Sequence, residues 1–375
     1  MRLPSAGEGD PLDARVSRPG YPDPVGDSWE APVSSARGAS HRGAAARISV
    51  VIPVFRSADY IAACVESVAA QHRPVHEVVL VDDCGGDDSI AIAEAVLTSC
   101  GVASTVVRLP ANRGIGGARN AGMSAVSGDL VWFLDSDDLA HPAFTATMVE
   151  AMITHDADFV ACGTEFIDED ETPLGAVDVG PSEPAIAGPR FAQLLVDGKV
   201  KAYAGARLFR REVLSDAPWD ARRAYEDMAA TARMSLRANV VAIVGSPLLR
   251  YRQRPSSVSN SVSPNSVALF EMGEDMAGLI DRIAEPARRR PVARNFAYRE
   301  VLIPAAHIAM RADHAGLGDD PVVAALMTGA RRRSSLSDVV PLLADRQFRS
   351  AVFAAGIVLT PNLYSRILRR RPDRV

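Results

Sequence analysis

Residues 128–138 have the sequence GDLVWFLDSDD. The apolar run between Asp129 and Asp135 is typical of a strand that is buried on both faces, and it ends in a cluster of carboxylates. Ligands of open α/β sheets bind beyond the carboxyl ends of the strands. This segment therefore predicts a central strand and a site at its end.

Three similar apolar runs precede this strand, and each is separated from the next by a stretch with helical spacing. The predicted strands span residues 48–53, 77–82 and 104–109, and the predicted helices lie near 57–68, 89–99 and 112–127. In the first helix, Ser57 is a candidate cap. Strands that alternate with helices of about 12 residues predict an α/β fold with a mostly parallel, Rossmann-like sheet and right-handed crossovers.

The remaining sequence divides into a tail, a looser second half and a helical end. Residues 1–46 are rich in Pro, Gly, Ser and Ala without apolar periodicity, so we predict that they are disordered. Shorter strands are expected from 158 to 251, with a loop at 168–187 and a helix near 226–237. The predicted C-terminal helices lie near 265–285, 292–312, 320–333 and 345–355.

Composition limits the class of protein. The chain has 375 residues, 47% hydrophobic and 23% charged, which allow one large domain with a helical extension. The net charge of −5 gives no reason to expect a nucleic-acid partner, and four cysteines without metal-site spacing predict reduced thiols. The first 46 residues contain no apolar signal segment, and the longest mainly apolar uncharged run, 350–365, is short and contains a proline. We therefore expect a cytoplasmic protein without a transmembrane segment.

Acidic residues are clustered after two of the predicted strands. One cluster occupies residues 82–88 and the other residues 135–138. Carboxylates packed so closely repel each other unless a cation or hydrogen-bond donors neutralise them. Mg²⁺ or Mn²⁺ is the natural partner, because hard cations take oxygen ligands and share them with phosphates. The alternative, for Asp88 and Asp138, is that they cap the helices that follow.

The segment 112–122, NRGIGGARNAG, is rich in glycine but fits neither standard phosphate-binding pattern. A dinucleotide motif would need glycine where Arg119 stands, and a P-loop would need lysine where Met123 stands. We predict a tight loop that leads into a helix packed close to the sheet, with Arg119 able to reach a nucleotide base or phosphate. A purely structural role for the glycines is the alternative.

Six segments together resemble glycosyltransferase family 2, whose catalytic domain has the GT-A fold. They occur in the order usual for that family across about residues 47–260. The segments are 49–55 (SVVIPVF), 80–89 (LVDDCGGDDS), 112–122, 128–138, 225–227 (YED) and 251–259 (YRQRPSSVS). The resemblance implies a catalytic domain at 47–260, and the helical apolar spacing that follows predicts a C-terminal extension at 261–375.

The resemblance also implies a role for individual residues in donor binding. Pro53, Val54 and Phe55, with Asp82 and Asp83, would hold the nucleobase, commonly uracil, with Arg119 nearby. Asp135 would face the ribose or the metal, and Asp137 would bind Mg²⁺ or Mn²⁺ between the donor phosphates. Arg252 or Arg254, with Ser257 or Ser259, would close over the phosphates.

Glu226 and Asp227 resemble the acidic dyad of the family, in which the second residue is the general base. Asp227 would then remove the acceptor proton while the diphosphate leaves from the opposite side, so the configuration inverts. The alternative interpretation is that Glu226 and Asp227 are the solvent-exposed start of a helix. The acceptor would be a hydroxyl or amine of a glycan, lipid-linked or cell-envelope molecule.

The sequence departs from the family pattern at Phe55-Arg56, where Tyr-Asn is common, and at the turn 84–87. The Gln-x-x-Arg-Trp motif of processive synthases is absent, which favours single addition. Two rival functions remain open: a nucleotidyltransferase that makes sugar nucleotides, and a non-catalytic nucleotide-sugar-binding partner. The first usually has a glycine-rich loop after strand one, which residues 53–57 lack.

The C-terminal region is basic. From residue 331 to the last residue the sequence has ten arginines and three aspartates. The helical pattern after residue 265 is typical of a packed helical cap or a surface for homo-oligomers. The stretch 348–371 mixes apolar residues with arginines, which is consistent with peripheral contact to an anionic membrane at its inner face, or with a packed helix that has a solvated basic end.

Overall fold

The fold is known from a computed structural model that describes residues 46–221, 224–254 and 262–369. A ten-stranded mixed sheet forms its centre. The strands are β1 Ile48–Val54, β2 Glu77–Asp82, β3 Ser104–Arg108, β4 Leu130–Phe133, β5 Leu139–Ala140, β6 Phe159–Ile167, β7 Pro173–Asp178, β8 Ala185–Ala187, β9 Arg207–Arg210 and β10 Val240–Arg252. Helices cover the sheet, so the predicted α/β class with a C-terminal helical extension is confirmed.

The first half of the sheet is parallel, in the order β3-β2-β1-β4. Val51 of β1 lies between Val79 of β2 and Phe133 of β4. The connecting helices are α1 Ile61–Ala69, α2 Ser89–Ser99 and α3 Gly114–Met123. This arrangement brings the ends of β1, β2 and β4 to one edge, as the sequence predicted.

The second half is mixed. β9 runs antiparallel between β4 and β6, and β10 is parallel to β6. The predicted loop at 168–187 is wrong in part, because β7 pairs with β6 and β8 with β10 inside it. Both strands are short and lie largely at the surface, so they carry no buried apolar run that would reveal them.

Alternate side chains of the central strands enter different cores. Val50 and Ile52 of β1 pack with α1, α2 and α4 (Phe144–Thr154), whereas Val51 packs on the opposite face. That opposite face is covered by α3, α5 (Gly188–Val196), α6 (Asp227–Arg237) and the C-terminal helices. A two-residue period produces this division, which is why these strands are apolar on both faces.

Helices make up the C-terminal region, close to the predicted positions. They are α7 Ala268–Ile283, α8 Arg289–Phe296, α9 Ile303–Ala312, α10 Pro321–Arg333, α11 Val339–Ala344, α12 Phe348–Leu359 and α13 Pro361–Arg369, with π-helical turns at Ala297–Leu302 and Asp313–Leu317. Among the described residues, no helix is both long and apolar enough to cross a membrane. The predicted disordered tail, apart from Ala46, lies outside the described residues, and the boundary predicted at 260/261 stays a prediction.

The predicted cap at Ser57 is not observed at the start of α1. The Ser57 carbonyl accepts from the amides of Tyr60 and Ile61, so a turn precedes the helix. The Ser57 hydroxyl lies 2.7 Å from that of Ser136. This contact joins the loop after β1 to the acidic loop after β4.

Candidate active site

The acidic loop Asp135–Asp138 lies between β4 and β5 at the sheet edge. The side chains of Asp135 and Asp137 are 23% and 19% exposed, whereas Asp138 is buried and its Oδ1 accepts from the Arg252 amide at 2.9 Å. Burial and the neighbouring carboxylates raise the pKa of Asp138 well above its ordinary value. The capping alternative is wrong for Asp138, since α4 starts six residues later at Phe144. Asp88 directly precedes α2 but its side chain makes no capping hydrogen bond.

A buried arginine joins this loop to the acidic dyad. Arg119 Nη2 donates to Asp135 Oδ1 at 2.5 Å, and Nη1 donates to Glu226 Oε1 at 2.6 Å. The guanidinium also lies 4.6 Å from the centre of the Trp219 ring. Arg119 was predicted to approach the nucleotide. That role stays a prediction, and the observed contacts make Arg119 the link between two predicted functional clusters.

The dyad stands at the start of α6. Tyr225 adopts a left-handed φ of 57°, Glu226 precedes the helix, and Asp227 is its first residue. Burial raises the pKa of Glu226, although Arg119 opposes this effect. Burial and the Glu226 carboxylate raise the pKa of Asp227 to about 7, against the pull of Arg119 and Arg207. Asp227 is half-buried, so the interpretation as a fully solvated helix start does not fit.

The glycines of α3 permit two close approaches. A Cβ at Gly122 would lie 2.5 Å from Val51 Cγ1 of the sheet. A Cβ at Gly116 would lie 1.9 Å from the Asp220 carbonyl oxygen and 3.1 Å from Glu226 Cγ. The glycines therefore have a structural role, and it brings the dyad against the helix that carries Arg119.

Arg252 and Arg254 extend from the end of β10 over the acidic loop. Arg252 is buried and donates to the carbonyls of Asp137 (2.9 Å) and Glu169 (2.6 Å). Arg254 Nη2 lies 2.5 Å from Asp137 Oδ2. Both guanidinium groups lie over the Tyr60 ring, at 5.2 and 5.1 Å from its centre. The predicted Ser257 and Ser259 lie outside the described residues.

The predicted nucleobase end is formed by the loops after β1 and β2. Pro53 and Val54 are the last two residues of β1, and Phe55 is 45% exposed beyond it. The Asp83 amide donates to the Val54 carbonyl at 3.0 Å, and its buried carboxylate accepts from the Arg113 amide at 2.6 Å. The Asp82 carboxylate accepts from the Cys84 amide. These residues are neighbours at the sheet edge, and their contacts with a nucleotide remain a prediction.

Three residues at the site were not identified from the sequence. Trp219 stacks on Arg119 and is fixed by Asn120, whose amide nitrogen donates to the Trp219 carbonyl at 2.8 Å while its oxygen accepts from the Trp219 amide at 3.0 Å. Tyr60 supports the two arginines after β10. Arg207 is buried and interacts electrostatically with Asp227, and burial lowers its pKa to about 10. No local pattern marks these residues, since each acts across at least 20 residues of sequence.

The acidic loop has the oxygen donors that a hard divalent cation prefers. Asp135 and Asp137 are both partly exposed, and burial with the adjacent carboxylate raises the pKa of Asp137 even though Arg254 opposes this. In the described part of the chain, no three His, Cys, Asp or Glu side chains form a ready metal cage. The residues therefore fit an ion held by one or two carboxylates, with its other ligands supplied by a bound diphosphate and water.

Comparison with known proteins gives matches to glycosyltransferases. Residues 49–217 match the model described as glycosyl transferase family 2. EpsH of Bacillus subtilis, assigned to the glycosyltransferases, is 27% identical over 231 residues, which are 60% of this chain and 65% of EpsH. The succinoglycan biosynthesis protein ExoO of Rhizobium meliloti is 39% identical over 103 residues, which are 28% of this chain and 29% of ExoO. The chain thus spans less than two thirds of these relatives.

Among solved structures, residues 1–349 of Staphylococcus aureus TarS in complex with UDP-GlcNAc superpose with a TM-score of 0.60 at 18% identity, over 82% of this chain and 89% of that one. This similarity concerns the fold. Residues 49–217, somewhat less than half of the chain, thus match glycosyltransferase family 2, and the fold is of the GT-A type. The resemblance seen in the sequence is confirmed.

Proposed function

We propose that the chain transfers a sugar from a UDP-sugar to a hydroxyl or amine of a glycan or lipid-linked acceptor, with inversion and with a divalent cation. The observation that carries this proposal is the connection of Asp227 to the acidic loop. Glu226, its neighbour, shares the Arg119 guanidinium with Asp135. The predicted base and the predicted donor-binding motif are therefore linked through one buried guanidinium.

Asp227 has the properties that a general base needs. With a pKa of about 7 it is about half ionised at neutral pH and largely ionised above it, yet basic enough to accept a proton. In the proposed step, the acceptor O–H or N–H proton passes to Asp227, the acceptor atom bonds to the anomeric carbon, and the bond to the diphosphate breaks. One displacement of this kind inverts the configuration and needs no covalent intermediate.

The proposed binding of the donor is supported by similar proteins and by the position of the loops after β1 and β2. The loops after β1 and β2 offer Phe55 as an exposed aromatic surface and Asp83 as a fixed carboxylate for a base. TarS, a structural neighbour, binds UDP and UDP-GlcNAc, which favours a uridine donor. ExoO, a relative, acts in succinoglycan biosynthesis, which favours a glycan acceptor.

Asp135 and Asp137 would hold Mg²⁺ or Mn²⁺. When bound, the ion neutralises negative charge that develops on the leaving diphosphate. Arg254 now pairs with Asp137, so we propose that it exchanges this carboxylate for a donor phosphate when metal and donor bind. Arg252, by contrast, holds the loop backbone and stays in place.

A donor screen tests the proposal. UDP-sugars are incubated with the full chain and Mn²⁺, and release of UDP is measured with and without chelator. We expect turnover or donor hydrolysis that chelation abolishes. Asp227→Asn should lower turnover by roughly 10²–10⁴-fold while donor affinity, measured by calorimetry, changes little.

Asp281→Asn is the matched control, because Asp281 is exposed on α7 and makes the same chemical change away from the site. It should leave turnover unaltered. Donor binding without any turnover would support the non-catalytic partner instead. Normal turnover by the Asp227→Asn variant would show that another group is the base.

A further inference from the structure

The C-terminal helices expose an unusual number of apolar side chains. Of the thirteen exposed large apolar residues in the described part of the chain, seven lie between residues 336 and 363. We name these seven residues the C-terminal patch. They are Leu336, Val340, Leu343, Phe348, Val352, Leu359 and Leu363. α11 packs against α12, and α12 against α13, so these residues belong to adjoining elements. Apolar residues concentrated in this way mark an interaction surface.

Helix α12 is apolar on both faces. Phe353 and Ile357 face the core, where the Phe353 ring contacts Tyr298 and Tyr364. Phe348, Val352 and Leu359 follow one another at intervals of four and seven residues, so they form a stripe on the opposite face. Phe348 and Val352 are 61% and 64% exposed. A helix that is apolar on two faces normally has both of them covered, and here the described residues cover only one.

Around the patch, the acidic side chains are paired with neighbouring residues, whereas arginines are exposed. The two aspartates in this stretch point to inner partners: Asp338 accepts from the Tyr298 hydroxyl at 2.9 Å, and Asp345 pairs with Arg294 at 2.6 Å. Arg349 of α12 and Arg366 of α13 are exposed. The surface is therefore apolar and positively charged at once.

We propose that the C-terminal patch docks on an anionic lipid surface, with the apolar stripe of α12 at the acyl boundary and the arginines among the headgroups. Each arginine near such a surface contributes favourably, and apolar burial adds to it. A second copy of the chain fits less well, because a two-fold interface made by this patch would gather the arginines of both copies while Asp338 and Asp345 already have partners. This proposal does not depend on the transferase activity.

Vesicle flotation of the full chain tests it. Phosphatidylcholine vesicles are compared with vesicles that also contain phosphatidylglycerol, at about 0.1 M and about 1 M salt, where the screening length falls from about 10 to about 3 Å. We expect binding only to the anionic vesicles and weaker binding at high salt. Arg349→Glu with Arg366→Glu should lower the partition coefficient at least about tenfold, and Val352→Ser with Leu359→Ser should lower it several-fold.

Matched controls separate the patch from general properties of the chain. Arg190→Glu with Arg237→Glu makes the same charge change at exposed positions elsewhere, and Ile153→Ser with Leu174→Ser removes apolar side chains that are each 48% exposed. Both controls should bind as the parent does. The proposal is overturned if the parent ignores anionic vesicles, if the controls lose binding equally, or if light scattering shows a dimer that the Val352→Ser, Leu359→Ser variant dissociates.

Discussion

Arg119 and Glu226 are 107 residues apart in the chain, yet Nη1 of the arginine lies 2.6 Å from Oε1 of the glutamate in a buried environment. The same guanidinium binds Asp135. A buried charge of this kind is stable only when its partners are present. The contact therefore couples the integrity of the predicted catalytic dyad to that of the acidic loop.

Arg119→Gln should reduce the free energy of unfolding by about 3–5 kcal/mol, because it leaves two carboxylates without their shared cation. Turnover should fall as well. Urea denaturation monitored by circular dichroism measures the stability. Arg210→Gln is the control: its partner Asp156 is largely exposed, so removing that pair should cost less than about 1 kcal/mol. Equal losses in both variants would contradict the buried link.

Turnover should decline below about pH 7 as Asp227 becomes protonated. The contribution of Asp227 to the free energy of unfolding changes with pH in the opposite direction. The folded protein binds this proton more tightly than the unfolded chain, so the Asp227 contribution becomes less favourable as pH rises from 3.8 to about 7. Asp227→Asn should thus raise the free energy of unfolding above pH 7 by on the order of 1–3 kcal/mol. An Asp227→Asn variant that is less stable than the parent protein at pH 8 would refute this explanation.

Arg254→Gln should strengthen binding of Mn²⁺ alone by several-fold, since no guanidinium then competes for Asp137. In the presence of UDP it should weaken nucleotide binding, because a phosphate partner is lost. Calorimetry with Mn²⁺, with and without UDP, measures both effects. Arg250→Gln is the control: Arg250 lies four residues earlier with similar exposure and pairs with Glu165, so its replacement should change neither. Identical behaviour of the two variants would exclude the exchange of Arg254 between partners.

Gly116→Ala should destabilise the protein by about 1–3 kcal/mol and reduce turnover, because the new methyl group collides with the Asp220 carbonyl beside Glu226. Gly278→Ala provides the contrast within α7. There a methyl group meets nothing within 4 Å, so the helix should gain roughly 0.5–1 kcal/mol. Thermal unfolding of both variants gives the comparison. A harmless alanine at 116 would mean that α3 and the dyad are not tightly packed.

Local patterns in the sequence were sufficient to predict much of the fold. The predicted strand at 77–82 has those exact bounds, and the predicted helix at 320–333 begins one residue later, because buried strands and amphipathic helices repeat with different periods. The antiparallel insertion of β9 between β4 and β6 was not foreseen. Its four residues carry no signal of direction, which depends on the partners that the tertiary fold provides.

The sequence alone determined the α/β architecture and the identity of the acidic residues at the strand ends, since both depend on apolar periodicity and on motifs that are local in the chain. Only the tertiary structure decided how these residues are paired: Arg119 between Asp135 and Glu226, Arg254 on Asp137, and Trp219 stacked on Arg119. The physical reason is that an ion pair depends on distance in space. The partners in these pairs are up to 117 positions apart in the chain, and no local sequence pattern indicates that they meet at the sheet edge.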